Sequence, residues 1–232
     1  MAIDWIAFDA DDTLWHNEGY FRRARARFLE LLGAYLPVEQ VAAYLDRIEI
    51  ENIRWYGYGT KSYGLSMIET ALALSGETAR SADLQAVIAI VKDMLTAPVE
   101  ILPGVAETLA RLAALRPLML ITKGDLLEQS GKLERSGLAH HFRRVEIISD
   151  KNPESYRALF EEHGMDPRRV LMIGNSLKSD VLPVIAIGGQ AVHVPYETTW
   201  AHELAEPAEH ERTYFEIEEI GQLVGLVEGL LL

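Results

Sequence analysis

Five short runs rich in aliphatic and β-branched residues, Ile3–Phe8, Leu118–Ile121, Val145–Ile148, Val170–Ile173 and Ala191–Val194, constrain this chain more than any other feature. Each is short and apolar enough to be a strand buried on both faces of a sheet. Between the last four runs the residues recur at helical spacing, as in Tyr156, Leu159, Phe160 and His163, with Pro153 placed for a first helical turn. Strand alternating with helix predicts an α/β fold, a Rossmann-like parallel sheet with helices on both faces.

The first two runs break that rhythm, because the chain from Phe8 to Leu118 is far longer than the dozen or so residues a crossover needs. Within the gap, Phe21, Phe28, Leu32 and Tyr35 mark one amphipathic helix, Val41, Leu45 and Ile48 a second, and Leu84, Val87, Ile88, Val91 and Leu95 a third. Pro98 and Pro103-Gly104 then punctuate the return, and Val105, Leu109 and Leu112 begin a sheet-covering helix. The expected organisation is an α/β core of residues 1–15 and 98–232 with an inserted all-helical subdomain at 16–97.

Polar residues gather where the strands end. After the first run comes Asp9-Ala10-Asp11-Asp12-Thr13-Leu14. Ligands of open α/β sheets bind beyond the carboxyl ends of the strands, and an extended chain aims Asp9 and Asp11 to one side. Two crowded carboxylates need a cation or a shared proton, and their oxygens suit a hard ion such as Mg²⁺. One acid can serve as nucleophile while the other moves a proton; the competing reading is an acidic loop that only caps structure. An EF-hand does not fit, with Leu14 and Tyr20 where its glycine and bidentate glutamate belong.

The second run ends in Thr122-Lys123-Gly124, and Ser149-Asp150-Lys151 follows the third. A hydroxyl, amides and an ammonium there suit phosphate oxygens, although Thr122 alone also reads as a strand-end hydroxyl and Lys151 alone as a solvated loop lysine. The fourth run enters Gly174-Asn175-Ser176-Leu177-Lys178-Ser179-Asp180, where Asn175 and Asp180 offer oxygens to a cation and Ser176 alternatively reads as an N-cap. Parallel strands bring all four signals to one edge of the sheet.

In order and spacing, Asp9-x-Asp11-x-Thr13, Thr122, Lys151 and Gly174-Asn175-Ser176-x-x-x-Asp180 resemble the haloacid dehalogenase-like (HAD) hydrolase superfamily, as do the connecting segments Leu102–Val105 and Lys132–Leu138. The resemblance implies a phosphatase that hydrolyses a small phosphomonoester. In it Asp9 is the nucleophile that forms an aspartyl-phosphate, and Asp11 protonates the leaving group and then activates water. It further implies that Thr122 and Lys151 hold the phosphoryl group, and that Mg²⁺ is bound by Asp9, the Asp11 carbonyl, Asn175 and Asp180. The helical insert resembles a family cap that closes over substrate. Two residues depart from the pattern: Asn175 replaces a common aspartate, weakening the metal site, and Lys123 replaces a common asparagine, competing with Lys151 for phosphate. A haloacid dehalogenase, a phosphomutase and a catalytically weakened phosphate-ligand-binding protein are the alternatives. Dehalogenation has no need of Asp11.

Composition narrows the partners. Thirty-five acidic against 22 basic residues give a formal charge of −13, without the general attraction that nucleic acid or anionic membrane surfaces require. The absence of cysteine excludes disulfides, thiolate zinc sites and a thiol nucleophile. The acidic N-terminus is unlike a signal peptide, and the uncharged stretch Val181–Tyr196 is too short to span a bilayer. A soluble cytoplasmic protein with a small phosphorylated metabolite as partner is expected. Three features carry less. Trp55–Gly64 reads either as a loop reaching substrate or as a helix connection with buried aromatics, and His140-His141 as a surface turn. Glu203, Glu206, Glu209, Glu211, Glu216, Glu218 and Glu219 read as a solvated acidic tail.

Overall fold

Alternate side chains of the central strands enter two different cores. Ile6, Phe8, Leu118, Leu120, Leu171 and Ile173 pack on one face with Val105, Leu109, Leu112, Leu223, Val224 and Val227. Ala7, Met119, Ile121 and Met172 pack on the other with Tyr156, Leu159, Phe160 and Val184. Period-two geometry requires this when both faces are covered, and the continuous apolar runs reflect it.

The computed structural model describes residues 3–33, 35–75, 80–198, 200, 203, 205 and 213–231. Its first elements are β1 (Trp5–Phe8), α1 (Glu18–Gly33), α2 (Val38–Tyr56), α3 (Thr60–Ser75), α4 (Ser81–Thr96), α5 (Val105–Leu115), β2 (Leu118–Lys123) and α6 (Leu126–Ser136). They are followed by β3 (Phe142–Ile148), α7 (Pro153–Glu162), β4 (Val170–Gly174), α8 (Leu182–Ala186), β5 (Gln190–His193), β6 (Phe215–Glu216) and α9 (Leu223–Leu231). The strands form one sheet in the order β3-β2-β1-β4-β5-β6, and every neighbouring pair is parallel. β1 lies between β2 and β4, so the strand order reverses beside it and a crevice opens past its carboxyl end.

The expected α/β sheet is present, with differences at its margins. β3 begins at Phe142 rather than Val145, and it is largely half-exposed instead of fully buried because it is an edge strand with one neighbour. β6, two residues long, extends the other edge and carries too little pattern to be read from sequence.

By contact the chain divides into two compact units, one of Met1–Glu18, Val99–Lys123 and Gln129–Leu232, the other of Gly19–Pro98 with Gly124–Glu128. The second has its own core of Ala24, Phe28, Leu32, Val41, Leu45, Tyr63, Met67, Ala71, Val87 and Ile90. Among its described residues are four helices, α1 to α4, where apolar spacing marks three. The extra one, α3, buries small and polar residues, Ser62, Gly64, Ser66 and Thr70, among its larger ones. A Cβ at Gly64 would lie 2.5 Å from Val91 Cγ2, so glycine lets α3 approach α4 closely. The aromatic cluster therefore divides: Trp55 is exposed at the end of α2, Tyr63 is buried on α3, and only Gly57-Tyr58-Gly59 connects the helices. Within this unit the Glu128 carboxylate accepts hydrogen bonds from Thr60 N (3.0 Å) and Thr60 Oγ1 (2.6 Å), placing a negative charge at the α3 N-terminus.

One local device fixes the chain beside the crevice. Asn152 caps α7 in a reciprocal box, its side chain accepting from Ser155 N (2.9 Å) while Ser155 Oγ accepts from Asn152 N (2.9 Å), with Pro153 in the first turn. Lys151 immediately precedes the cap. Asn152→Ala is expected to lower stability in urea unfolding by about 1 kcal/mol, and Asn152→Ser to retain most of it, since serine also caps.

Candidate active site

β1 delivers Asp9 to the crevice, with Asp9 N bonded to Ile173 O (2.9 Å) as the ladder with β4 ends. The chain then turns. Thr13 N and Leu14 N both bond to Ala10 O (3.2 and 2.8 Å), and Asp12 takes a left-handed conformation at φ 62°. Its carboxylate accepts from Asn17 N (2.8 Å) and Glu18 N (3.0 Å), capping the start of α1, so the third acid of the cluster serves structure. Of the other two acids, Asp9 pairs with Lys151 and Asp11 with Lys132, so each has its own ammonium, while the charge of Asp11 still acts on Asp9.

Asp9 belongs to a buried triad. Lys151 Nζ donates to Asp9 Oδ1 (2.5 Å) and to Asp180 Oδ1 (2.7 Å), and the side chains of Lys151 and Asp180 are each 1% exposed. Lys151 is therefore not a solvated loop lysine. Burial favours its neutral amine, but Asp180 and Asp9 hold its pKa well above the ordinary value. Burial and the charge of Asp180 push the Asp9 carboxyl up to about 7, against the pull of Lys151. Asp9 Oδ2 accepts from Thr13 Oγ1 (3.0 Å).

The loop after β4 is built around Asp180. Its Oδ2 accepts from Ser176 N (3.0 Å), and a Cβ at Gly174 would lie 2.2 Å from that oxygen, so only glycine fits there. Ser176 Oγ accepts from Ser179 N (3.0 Å), so the serine does cap, ahead of a single π turn at Leu177–Val181. Asn175 N donates to Thr13 Oγ1 (3.0 Å), tying this loop to the turn after β1.

The oxygens of Asp9, Asp180 and Asn175, with the main-chain carbonyl of Asp11, are hard donors suited to Mg²⁺. Two carboxylates against one ammonium also leave an uncompensated negative charge in the triad, so these residues fit the ion. Among the described residues no three His, Cys, Asp or Glu side chains come together as a metal group.

Asp11 sits in a separate ring of donors. Trp15 Nε1 (2.7 Å) and Lys132 Nζ (3.0 Å) reach Oδ1, while Gln129 Nε2 (2.9 Å) and Lys132 Nζ (3.0 Å) reach Oδ2. Gln129 Nε2 also donates to Thr122 Oγ1 (3.1 Å), which leaves the buried Thr122 hydroxyl its own hydrogen to donate. Sequence reasoning missed Trp15, Gln129 and Lys132. The available signal was the spacing of three between Gln129 and Lys132, which puts both on one face of α6.

Lys123 lies elsewhere in the network. It is ion-paired to Glu203 and donates to Ser179 Oγ (2.9 Å). Glu203 also accepts from Ser176 Oγ (2.6 Å) and Ser179 Oγ (2.5 Å). Burial opposes its charge, yet Lys123 and the two serines hold its carboxyl down to about 2. Glu203 is thus no part of a solvated tail: it is mostly buried and secures the 174–180 loop. Glu206, Glu209 and Glu211 lie outside the described residues; Glu216 and Glu218 are exposed, as expected.

A family model of haloacid dehalogenase-like hydrolases matches residues 3–188. The chain is 29% identical over 210 residues to a glyceraldehyde 3-phosphate phosphatase of Methanothermobacter thermautotrophicus, covering 84% of this chain and 87% of that protein. It is 25% identical over 198 residues to a pyrimidine 5′-nucleotidase of Escherichia coli, covering 81% and 84%. The crystal structure of a haloacid dehalogenase-like family hydrolase from Xanthomonas campestris superposes with a TM-score of 0.88 at 40% identity, over 99% of this chain and 92% of that one. The chain belongs to the haloacid dehalogenase-like hydrolases, and the expected family and hydrolase class both hold.

Removing Lys151 leaves two buried carboxylates without their counter-charge. Lys151→Met is expected to lower stability at neutral pH by about 3–5 kcal/mol in denaturant unfolding. A carboxyl raised in the folded state weakens the fold fully above its folded value and not at all below its ordinary one, so the deficit should shrink as acidification from about pH 7 toward 4 protonates Asp9.

Proposed function

We propose that this hydrolase is a magnesium-dependent phosphatase that cleaves a small phosphomonoester through an aspartyl-phosphate on Asp9. The observation that carries the reading is the separate set of partners around each of two carboxylates two residues apart. Asp9 is buried against Lys151, and Asp11 is held by different donors, Lys132 among them.

In the first step an Asp9 carboxylate oxygen forms a bond to phosphorus as the bond to the leaving oxygen breaks, and Asp11, protonated, gives its proton to that oxygen. In the second, Asp11 as carboxylate takes a proton from water while the water oxygen bonds to phosphorus and the bond to Asp9 breaks. Inorganic phosphate leaves and both acids return to their starting forms. Lys151 and the Thr122 hydroxyl neutralise charge on the phosphoryl oxygens. Mg²⁺ bound by Asp9, the Asp11 carbonyl, Asn175 and Asp180 would supply further positive charge to those oxygens.

The two similar enzymes named above, a phosphatase and a 5′-nucleotidase, support a small phosphorylated substrate. The helical unit at about 16–97 is the cap subdomain in this reading, and the compartment is the cytoplasm. Among the described residues no helix is long and apolar enough to cross a membrane. Lys123, committed to Glu203, has a structural part rather than a phosphate-binding one.

The expected result is release of phosphate from p-nitrophenyl phosphate by wild type with Mg²⁺, little or none with EDTA, and a loss of at least about 10³-fold in Asp9→Asn with the fold retained. Metal-independent turnover, or turnover by Asp9→Asn, contradicts the assignment.

A further inference from the structure

The ring of donors around Asp11 exceeds what a loop carboxylate needs to stay folded. Lys132 Nζ is 3.0 Å from both carboxylate oxygens, which places the ammonium across the fork of the group. The lysine is itself aimed by Asn17 Oδ1, which accepts from Nζ at 2.8 Å. Trp15 Nε1 fixes one oxygen and Gln129 Nε2 the other. The Gln129 amide cannot turn over, because its nitrogen faces three acceptors, Asp11 Oδ2, Thr122 Oγ1 and Lys123 O (2.9 Å). Its Oε1, buried, has no hydrogen-bond partner among the described residues, the cost of keeping the nitrogen toward Asp11. The direction and plane of one carboxylate are therefore set from both sides.

We infer that Lys132, together with Gln129, is a positioning residue for Asp11, setting the orientation from which that carboxyl exchanges its proton with the leaving group. The inference rests on the phosphatase reading. General acid catalysis contributes about 10²–10⁴-fold, and most where the leaving oxygen is basic. Phenyl phosphate, whose phenol has a pKa of about 10 as tyrosine does, needs the proton; p-nitrophenyl phosphate, of nearly the same shape, has a leaving group stable as the anion.

The test compares kcat/KM for these two esters in wild type and Lys132→Met, with thermal unfolding recorded for each protein. The positioning role predicts that Lys132→Met loses at least about tenfold more on phenyl phosphate than on p-nitrophenyl phosphate. Lys132→Arg, still charged and able to span both oxygens, should keep the wild-type ratio to within about twofold. Should Lys132→Met fail to fold, Lys132→Gln, which retains one donor, is expected to shift the ratio the same way by a smaller factor. Equal losses on the two esters, no loss, or a greater loss on p-nitrophenyl phosphate overturns the inference while leaving the phosphatase reading intact. A wild-type protein that hydrolyses neither ester removes that reading and the inference with it.

Discussion

The Lys151 ammonium, sealed between Asp9 and Asp180, is the interaction around which the core is arranged. Its three members come from the ends of β1, β3 and β4, so none can be satisfied until the parallel sheet has formed in register. A buried ion cluster of this kind is no better for stability than a well-packed apolar one, while breaking it is expensive. Its surroundings reflect that. Gly174 leaves room for the Asp180 carboxyl, Ser176 N satisfies the oxygen Lys151 does not reach, and the Asn152 cap starts α7 one residue past the lysine. The apolar layers on each face of the sheet supply the driving force, and the triad fixes where the strands must end.

A second consequence is that the two acids of the Asp9–Asp11 pair experience different fields. Asp9 is buried with another carboxylate and has its carboxyl raised to about 7, whereas Asp11, partly exposed, faces Trp15, Gln129 and Lys132. Adjacent acids with separate environments can take separate roles in one reaction, one bonding to phosphorus and the other handling protons. α6 then contributes to both halves, since Gln129 reaches Asp11 and Thr122 with one amide group.

Sequence revealed the parts of this arrangement that depend on local pattern. Continuous apolar runs identify β1, β2 and β4 because both faces of those strands are covered, and polar residues just past them identify the crevice. Apolar pattern alone makes β3 too short and too buried, because this edge strand mixes Arg143 and Arg144 into its run. α3 is hard to read because the small and hydroxyl residues Ser62, Gly64, Ser66 and Thr70 share its packing face and dilute the apolar spacing of Tyr63, Met67 and Ala71. Glu203 escaped for a different reason: an acid among acids looks solvated until a distant lysine and two serines are seen to enclose it. Lys132 and Gln129 likewise look like an ordinary helix surface. Their partner is 118 to 121 positions away in the chain, and no periodicity encodes that contact.

The account stands on Asp9 bonding to phosphorus, and the most direct measurement is to stop the reaction in acid during turnover of p-nitrophenyl phosphate and map the peptides by mass. The predicted result is one phosphoryl group on the peptide containing Asp9, present during turnover and gone once substrate is exhausted. Steady turnover with Asp9 never modified, or with the phosphoryl group on another residue, would contradict it.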